Sequence, residues 1–192
     1  QHSFGIPANI FNIIEFLRER NIFILEDCAI TLDSTISGIK TGNFGDASIF
    51  STDHLKPINT MIGGFFYTRN AELFDKLKQQ NKDILHISIP QQKRLFRQLL
   101  FERKYCNPTR YPYYIFFNSL QKKINFFIGR TQQTFLDMDY NQPVKYTEYP
   151  YPAKLPVFLA QLGLFELDRW ELEKQKRKYL LKKYLQIMID KG

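Results

Sequence analysis

The chain has 192 residues, 44% of them hydrophobic, which is enough for one globular domain with a sizeable core. Its net charge of +8 admits an anionic partner but does not choose one. Two cysteines, Cys28 and Cys106, far apart and outside any CxxC pattern, exclude a disulfide-rich scaffold and argue against a structural zinc site, which fits a cytoplasmic setting.

Ile10, Ile13, Ile14 and Leu17 recur at helical spacing and predict an amphipathic helix that ends in Arg18-Glu19-Arg20. Ile22-Phe23-Ile24-Leu25 follows as a continuous apolar run, the signature of a buried parallel strand, and it ends in Glu26-Asp27. Acidic residues at the carboxyl end of such a strand sit where α/β sheets bind ligands. Gly38, Gly42 and Gly45 mark turns, Ala47 to Phe50 reads as a short strand, and a polar loop carries Lys56-Pro57. After Gly63-Gly64 comes a further strand, Phe65 to Thr68, and Asn70 is placed to cap a helix beginning at Ala71. Residues 91–104 and 112–128 read as helices, the second rich in aromatics. A Pro- and Tyr-rich link covers 139–153, and a long helix, with room for a break, runs from Val157 to Ile189. No run is long and apolar enough for a transmembrane helix, and both ends of the chain read as cut.

Three side chains with chemical potential fall close together: Asp27 after a strand, Ser51 after the next, and Lys56 in the loop beyond. Singly, each has an ordinary structural reading as a turn former, a loop hydroxyl or a surface charge. Together with their surroundings they form a pattern: Gln1-His2-Ser3-Phe4-Gly5, Glu26-Asp27-Cys28-Ala29, Gly42-Asn43-Phe44-Gly45-Asp46-Ala47, Phe50-Ser51, Lys56 and Gly63-Gly64, in that order. This set resembles the DegT/DnrJ/EryC1/StrS family of fold-type I enzymes that use pyridoxal 5'-phosphate (PLP), mostly aminotransferases acting on nucleotide-linked keto sugars. The resemblance is dense over 1–80 and returns more weakly from Tyr151-Pro152-Ala153-Lys154-Leu155 to Leu164.

The resemblance implies an α/β fold, the middle part of a fold-type I large domain with a mostly parallel sheet and flanking helices. It divides the chain into part of the cofactor-binding domain (1–84), a helical aromatic-rich insertion (85–150) and a connecting helix towards a small domain (151–192). It implies PLP as cofactor, with Lys56 as the Schiff-base lysine and proton carrier. Asp27 would pair with the pyridine nitrogen, and Ser51 would donate to the phosphate. Glutamate as amino donor, a nucleotide-linked keto sugar as acceptor and a homodimer follow from the same source; nucleic acid does not. A fragment of this extent is expected to be inactive alone.

Two departures stand out. Where the family commonly has Gln or His three residues after the strand-end Asp, this chain has Ile30. The stretch Pro152 to Val157 also lacks the Asn that the family often uses on a neighbouring subunit's phosphate. They leave open a divergent or non-catalytic relative. His2 and His54 are weaker acid–base candidates. A separate reading of Arg110 to Phe127, aromatics interleaved with lysines, is a basic module for a membrane surface or nucleic acid. The alternative there is that these rings pack on the domain or on a dimer partner.

Overall fold

A computed structural model describes residues 1–129 and 152–191. Two compact units arise from one chain: Gln1–Asp83 with Leu155–Gly192, and Ile84–Lys154 between them in sequence.

In the first unit, helix α1 (Ile10–Arg18) buries Ile10 and Ile14 against Ile24 and Phe44, with Leu17 and Ile36 packed alongside. The i, i+4 spacing puts Ile10 and Ile14 on one stripe, so burial of that stripe, and not propensity, holds the helix in place. Phe11 adds an edge-to-face contact with Phe44 at 5.6 Å.

Strands β1 (Leu25–Asp27), β4 (Ala47–Ser51) and β5 (Gly64–Thr68) form a three-stranded sheet in the order β1-β4-β5. β1 and β4 run parallel, whereas β5 returns antiparallel to β4. The parallel character of the described sheet therefore rests on one pair. A short hairpin, β2 (Thr35–Ile36) and β3 (Ile39–Lys40), turns through Ser37 and Gly38, both at positive φ.

The apolar run at 22–25 is not the strand that the sequence predicts. Pairing begins only at Leu25, opposite Ala47, and of the four residues only Ile24 is buried. The reason is that the Ile24 amide donates to the Asp46 carboxylate at 2.7 Å instead of entering the ladder. From there the chain alternates, Leu25 outward and Glu26 inward, as a strand with two different faces must.

Helix α2 (Ala71–Asp83) starts where Asn70 places its side-chain oxygen, which accepts the Leu73 amide at 3.0 Å. The long C-terminal helical stretch is two helices, α5 (Val157–Asp168) and α6 (Trp170–Lys191), separated at Arg169. One carboxylate ties α6 to the hairpin: Asp33 accepts from Lys40 and Lys174, each at 2.6 Å, and from the Trp170 indole at 3.2 Å. Burial pushes the Asp33 carboxyl up, but hydrogen bonds from Lys174, Lys40 and Trp170 outweigh it and hold the carboxyl at about 2. The folded pKa lies below the ordinary 3.8, so this tie contributes fully above about pH 4 and is lost as pH falls through 2. Asp33→Ala should red-shift Trp170 fluorescence at neutral pH and lower amide protection in the first turns of α6. An unchanged indole environment would mean that the tie is not formed.

The second unit contains α3 (Ile89–Tyr105) and α4 (Tyr111–Phe127). Ser88 and Gln91 form a capping box at the start of α3, with Pro90 in its first turn. Phe101 of α3 meets Tyr114 of α4 at 5.7 Å. The expected link at 139–153 lies largely outside the described residues. Among the described residues, no helix is long and apolar enough to cross a membrane.

Candidate active site

Strand alternation decides which side chains share a surface. Asp27 pairs with Ile49, and Ser51 lies two residues beyond Ile49 on β4, so Asp27, Ile49 and Ser51 project from one face of the sheet. Glu26, Ser48 and Phe50 project from the other. Asp27 and Ser51 thus stand together at the carboxyl ends of two neighbouring parallel strands, on a face where Leu25 and Ile49 remain exposed. Asp27 is half-buried; its Oδ1 accepts the Ala29 amide at 2.9 Å, a local turn that orients the carboxylate. The Ser51 hydroxyl accepts a long 3.4 Å bond from the Asp53 amide and keeps its proton available to donate.

Lys56 sits in a loop closed at its neck. Thr52 N–H donates to the Gly63 carbonyl at 2.9 Å, and Thr60 N–H to the Thr52 carbonyl at 2.8 Å. The buried Thr60 hydroxyl lies 2.6 Å from the Thr52 hydroxyl and 2.7 Å from the Ile62 carbonyl. Inside the loop, Asn59 donates to the His54 carbonyl at 3.0 Å, and the Lys56 amide donates to Asp53 at 2.9 Å. Ile58, Met61 and Ile62 are buried beneath it. Lys56 itself is half-buried, and its amine makes no ion pair among the described residues. His54 is held by its neighbour Asp53 through Nδ1.

The two glycines after the loop have distinct roles. A Cβ on Gly64 would lie 2.4 Å from the Phe50 carbonyl, so Gly64 lets β5 approach β4. Gly63, at φ +102°, turns the chain beneath Leu155. Helix α5 then covers the loop: a Cβ on Gly163 would lie 3.1 Å from the Thr60 methyl group.

Behind the site lies a buried hub built on Glu26. Its Oε1 accepts the amides of Phe44 and Gly45, each at 2.6 Å, and its Oε2 accepts the Gly42 amide at 2.7 Å and His2 Nε2 at 3.0 Å. His2 Nδ1 accepts the Ala8 amide at 3.0 Å, which makes Nε2 the protonated nitrogen. Both ring nitrogens are therefore committed and His2 is buried, so its acid–base reading gives way to a structural one.

Cys28 joins His2 and Glu26 in a buried group whose ligating atoms lie within 4.8 Å of one another. Burial first, then the Glu26 and Asp27 carboxylates, push its thiol up to about 12. Both Glu26 oxygens in this group are already taken by the Gly42, Phe44 and Gly45 amides and by His2.

Lys56, Asp27 and Ser51 offer an amine, a carboxylate and a hydroxyl, group types with which PLP could be held. Ile30, in contrast, offers that cofactor no polar side-chain atom, and its carbonyl is taken by the Gly5 amide at 3.3 Å.

The sequence profile of the DegT/DnrJ/EryC1/StrS aminotransferase family matches residues 1–96, half of the chain. The chain belongs to this family. The matched residues contain α1, the whole three-stranded sheet and the Lys56 loop. Among its relatives, the GDP-perosamine synthase of Escherichia coli O157:H7 is 39% identical over 75 residues, covering 39% of this chain and 21% of that protein. The dTDP-4-dehydro-2,3,6-trideoxy-D-glucose 4-aminotransferase of Saccharopolyspora spinosa is 33% identical over 78 residues, covering 41% of this chain and 20% of the relative. The chain thus spans about a fifth of the length of these curated relatives. A solved structure of a candidate PLP-dependent aminotransferase from Bacillus cereus ATCC 10987 superposes with a TM-score of 0.51 at 16% identity, covering 99% of this chain and 37% of that one. That likeness establishes a partial α/β architecture shared with such enzymes.

Thr52, Asn59 and Thr60, which hold the Lys56 loop, were not foreseen from the sequence. Two threonines eight residues apart carry no periodic signal, because their pairing exists only once the loop has closed.

Proposed function

We propose that the intact protein is a PLP-dependent aminotransferase that moves an amino group from glutamate to a nucleotide-linked keto sugar, working as a homodimer. The observation that carries the reading is the shared sheet face of Asp27 and Ser51, followed by Lys56 in a loop tied at both ends. The nucleotide-sugar enzymes among the relatives support the substrate class.

In this reading Lys56 holds the cofactor covalently through its amine, then carries a proton at the substrate carbon. Both roles require the amine in its neutral, nucleophilic form. Asp27 keeps a proton on the ring nitrogen by placing a negative charge beside it. Ser51 donates to the phosphate. When bound, the cofactor supplies an electron sink for negative charge at the reacting carbon. Ile30 favours a second reading, a divergent relative with the fold but a weakened grip on the cofactor.

Borohydride reduction of the intact protein after incubation with PLP separates the two. The expected result is a stable mass increase on the peptide containing Lys56, absent in Lys56→Ala. No adduct on Lys56 would sink the catalytic reading and leave the second.

A further inference from the structure

Almost all of the net charge of this chain lies in one unit. Residues 84–154 contain eleven Lys and Arg against four acidic residues, while the whole chain has 27 against 19. The rest of the chain is therefore close to neutral, and nine of the eleven basic residues lie beyond residue 96, where the family profile ends. Helix α4 carries no acidic residue at all. Tyr114 packs on Phe101, but Tyr113, Phe116 and Phe117 are exposed.

The C-terminal end of α4 has a specific arrangement. Lys122, Lys123, Phe126 and Phe127 line one open groove. Lys122 and Phe126 are four residues apart, as are Lys123 and Phe127, so each lysine stands one turn above a phenylalanine on the same side of the helix. Four residues rise about 6 Å. Phe126 and Phe127 are 83% and 85% exposed, and Ile128 continues the apolar tip. Burying rings about 5–10 Å below lipid headgroups, with ammonium groups above them at the phosphates, requires this vertical separation.

Two other occupants fit less well. A second copy docked face to face would bring four lysines together with no acid on α4 to meet them. Successive bases of a nucleic acid need ring faces lying roughly parallel, whereas Phe126 and Phe127 stand at 76° to each other with centroids 6.0 Å apart. We propose that the C-terminal end of α4 docks the protein onto an anionic bilayer surface, Phe126 and Phe127 entering the acyl boundary while Lys122 and Lys123 meet lipid phosphates. This inference stands independently of the aminotransferase reading.

Flotation of the full chain with vesicles of phosphatidylcholine, with and without phosphatidylglycerol, tests it. Binding should require the anionic lipid and weaken as salt rises. Each lysine contributes about fivefold to partitioning, so Lys122→Gln/Lys123→Gln should lower it roughly 25-fold. Phe126→Ser/Phe127→Ser should lower it at least about tenfold. Because all four side chains are exposed, circular dichroism should be unchanged, confirming that the loss is not unfolding. Equal binding to neutral vesicles, or undiminished binding by both variants, overturns the proposal. So does an absence of lipid binding, whether or not the same side chains then prove to drive RNA binding or self-association.

Discussion

Replacing Glu26 with alanine should unfold the first unit, Gln1–Asp83 with Leu155–Gly192, under conditions where the wild-type protein is folded. The carboxylate is 3% exposed and accepts four hydrogen bonds, three from the amides of Gly42, Phe44 and Gly45 and one from His2. Each buried donor left without an acceptor costs about 1–3 kcal/mol, so losing all four costs on the order of 5 kcal/mol after partial relaxation. Domains of this size are stable by only about 5–15 kcal/mol. The 42–45 turn has little freedom to find other partners. A Cβ on Gly42 would lie 2.7 Å from the Phe50 ring of β4, and one on Gly45 would lie 2.6 Å from the carbonyl of Ile24, just before β1, so the turn is packed on both sides. Glu26→Gln should cost less, about 2–3 kcal/mol, because one oxygen survives while the new amide group faces donors. Urea denaturation followed by circular dichroism checks both. A Glu26→Ala midpoint within error of wild type would show that the hub does not hold the turn.

Asp27→Asn is the companion experiment, with the opposite profile. Asp27 is half-buried, and its one recorded bond, to the Ala29 amide, can be kept by the asparagine carbonyl. Stability should therefore change by less than about 0.5 kcal/mol. Under the proposed function, the reaction should slow by about 10²–10³-fold, the scale on which removing one aligned electrostatic partner acts. The loss should fall on kcat more than on KM, since the ring nitrogen is remote from the sugar. Single-turnover conversion of the amino donor, with thermal denaturation alongside, reads both quantities. An Asp27→Asn protein with wild-type turnover would remove Asp27 from the chemistry. The adjacent residues Glu26 and Asp27 thus separate by parity: one inward and structural, the other on the opposite face and free for a ligand.

Several elements were legible in the sequence because their causes are local. The i, i+3, i+4 spacing of Ile10, Ile13 and Ile14 identifies α1, and Asn70 marks the start of α2 through a bond three residues away. The run from Ala47 to Phe50 needs no distant information to read as a strand. The motif set around Asp27, Ser51 and Lys56 also lies in order along the chain, which is why the family could be named from residues 1–80.

Tertiary structure alone decided the rest. The strand expected at 22–25 begins at Leu25 because Asp46, 22 residues beyond Ile24, takes the Ile24 amide. Glu26 reads as a ligand-edge acid until Gly42, Phe44, Gly45 and His2 fold around it. Thr52 and Thr60 acquire a role only when the Lys56 loop closes. The aromatics of α4 are equally apolar in sequence whether they line a core or face outward, and the fold packs Tyr114 on Phe101 while leaving Tyr113, Phe116, Phe117, Phe126 and Phe127 exposed. In each case the deciding partner lies beyond the reach of a local pattern. Hydrophobic periodicity and capping encode an element's existence and kind, whereas hydrogen bonds between segments decide its ends, its buried face and the purpose of its polar residues.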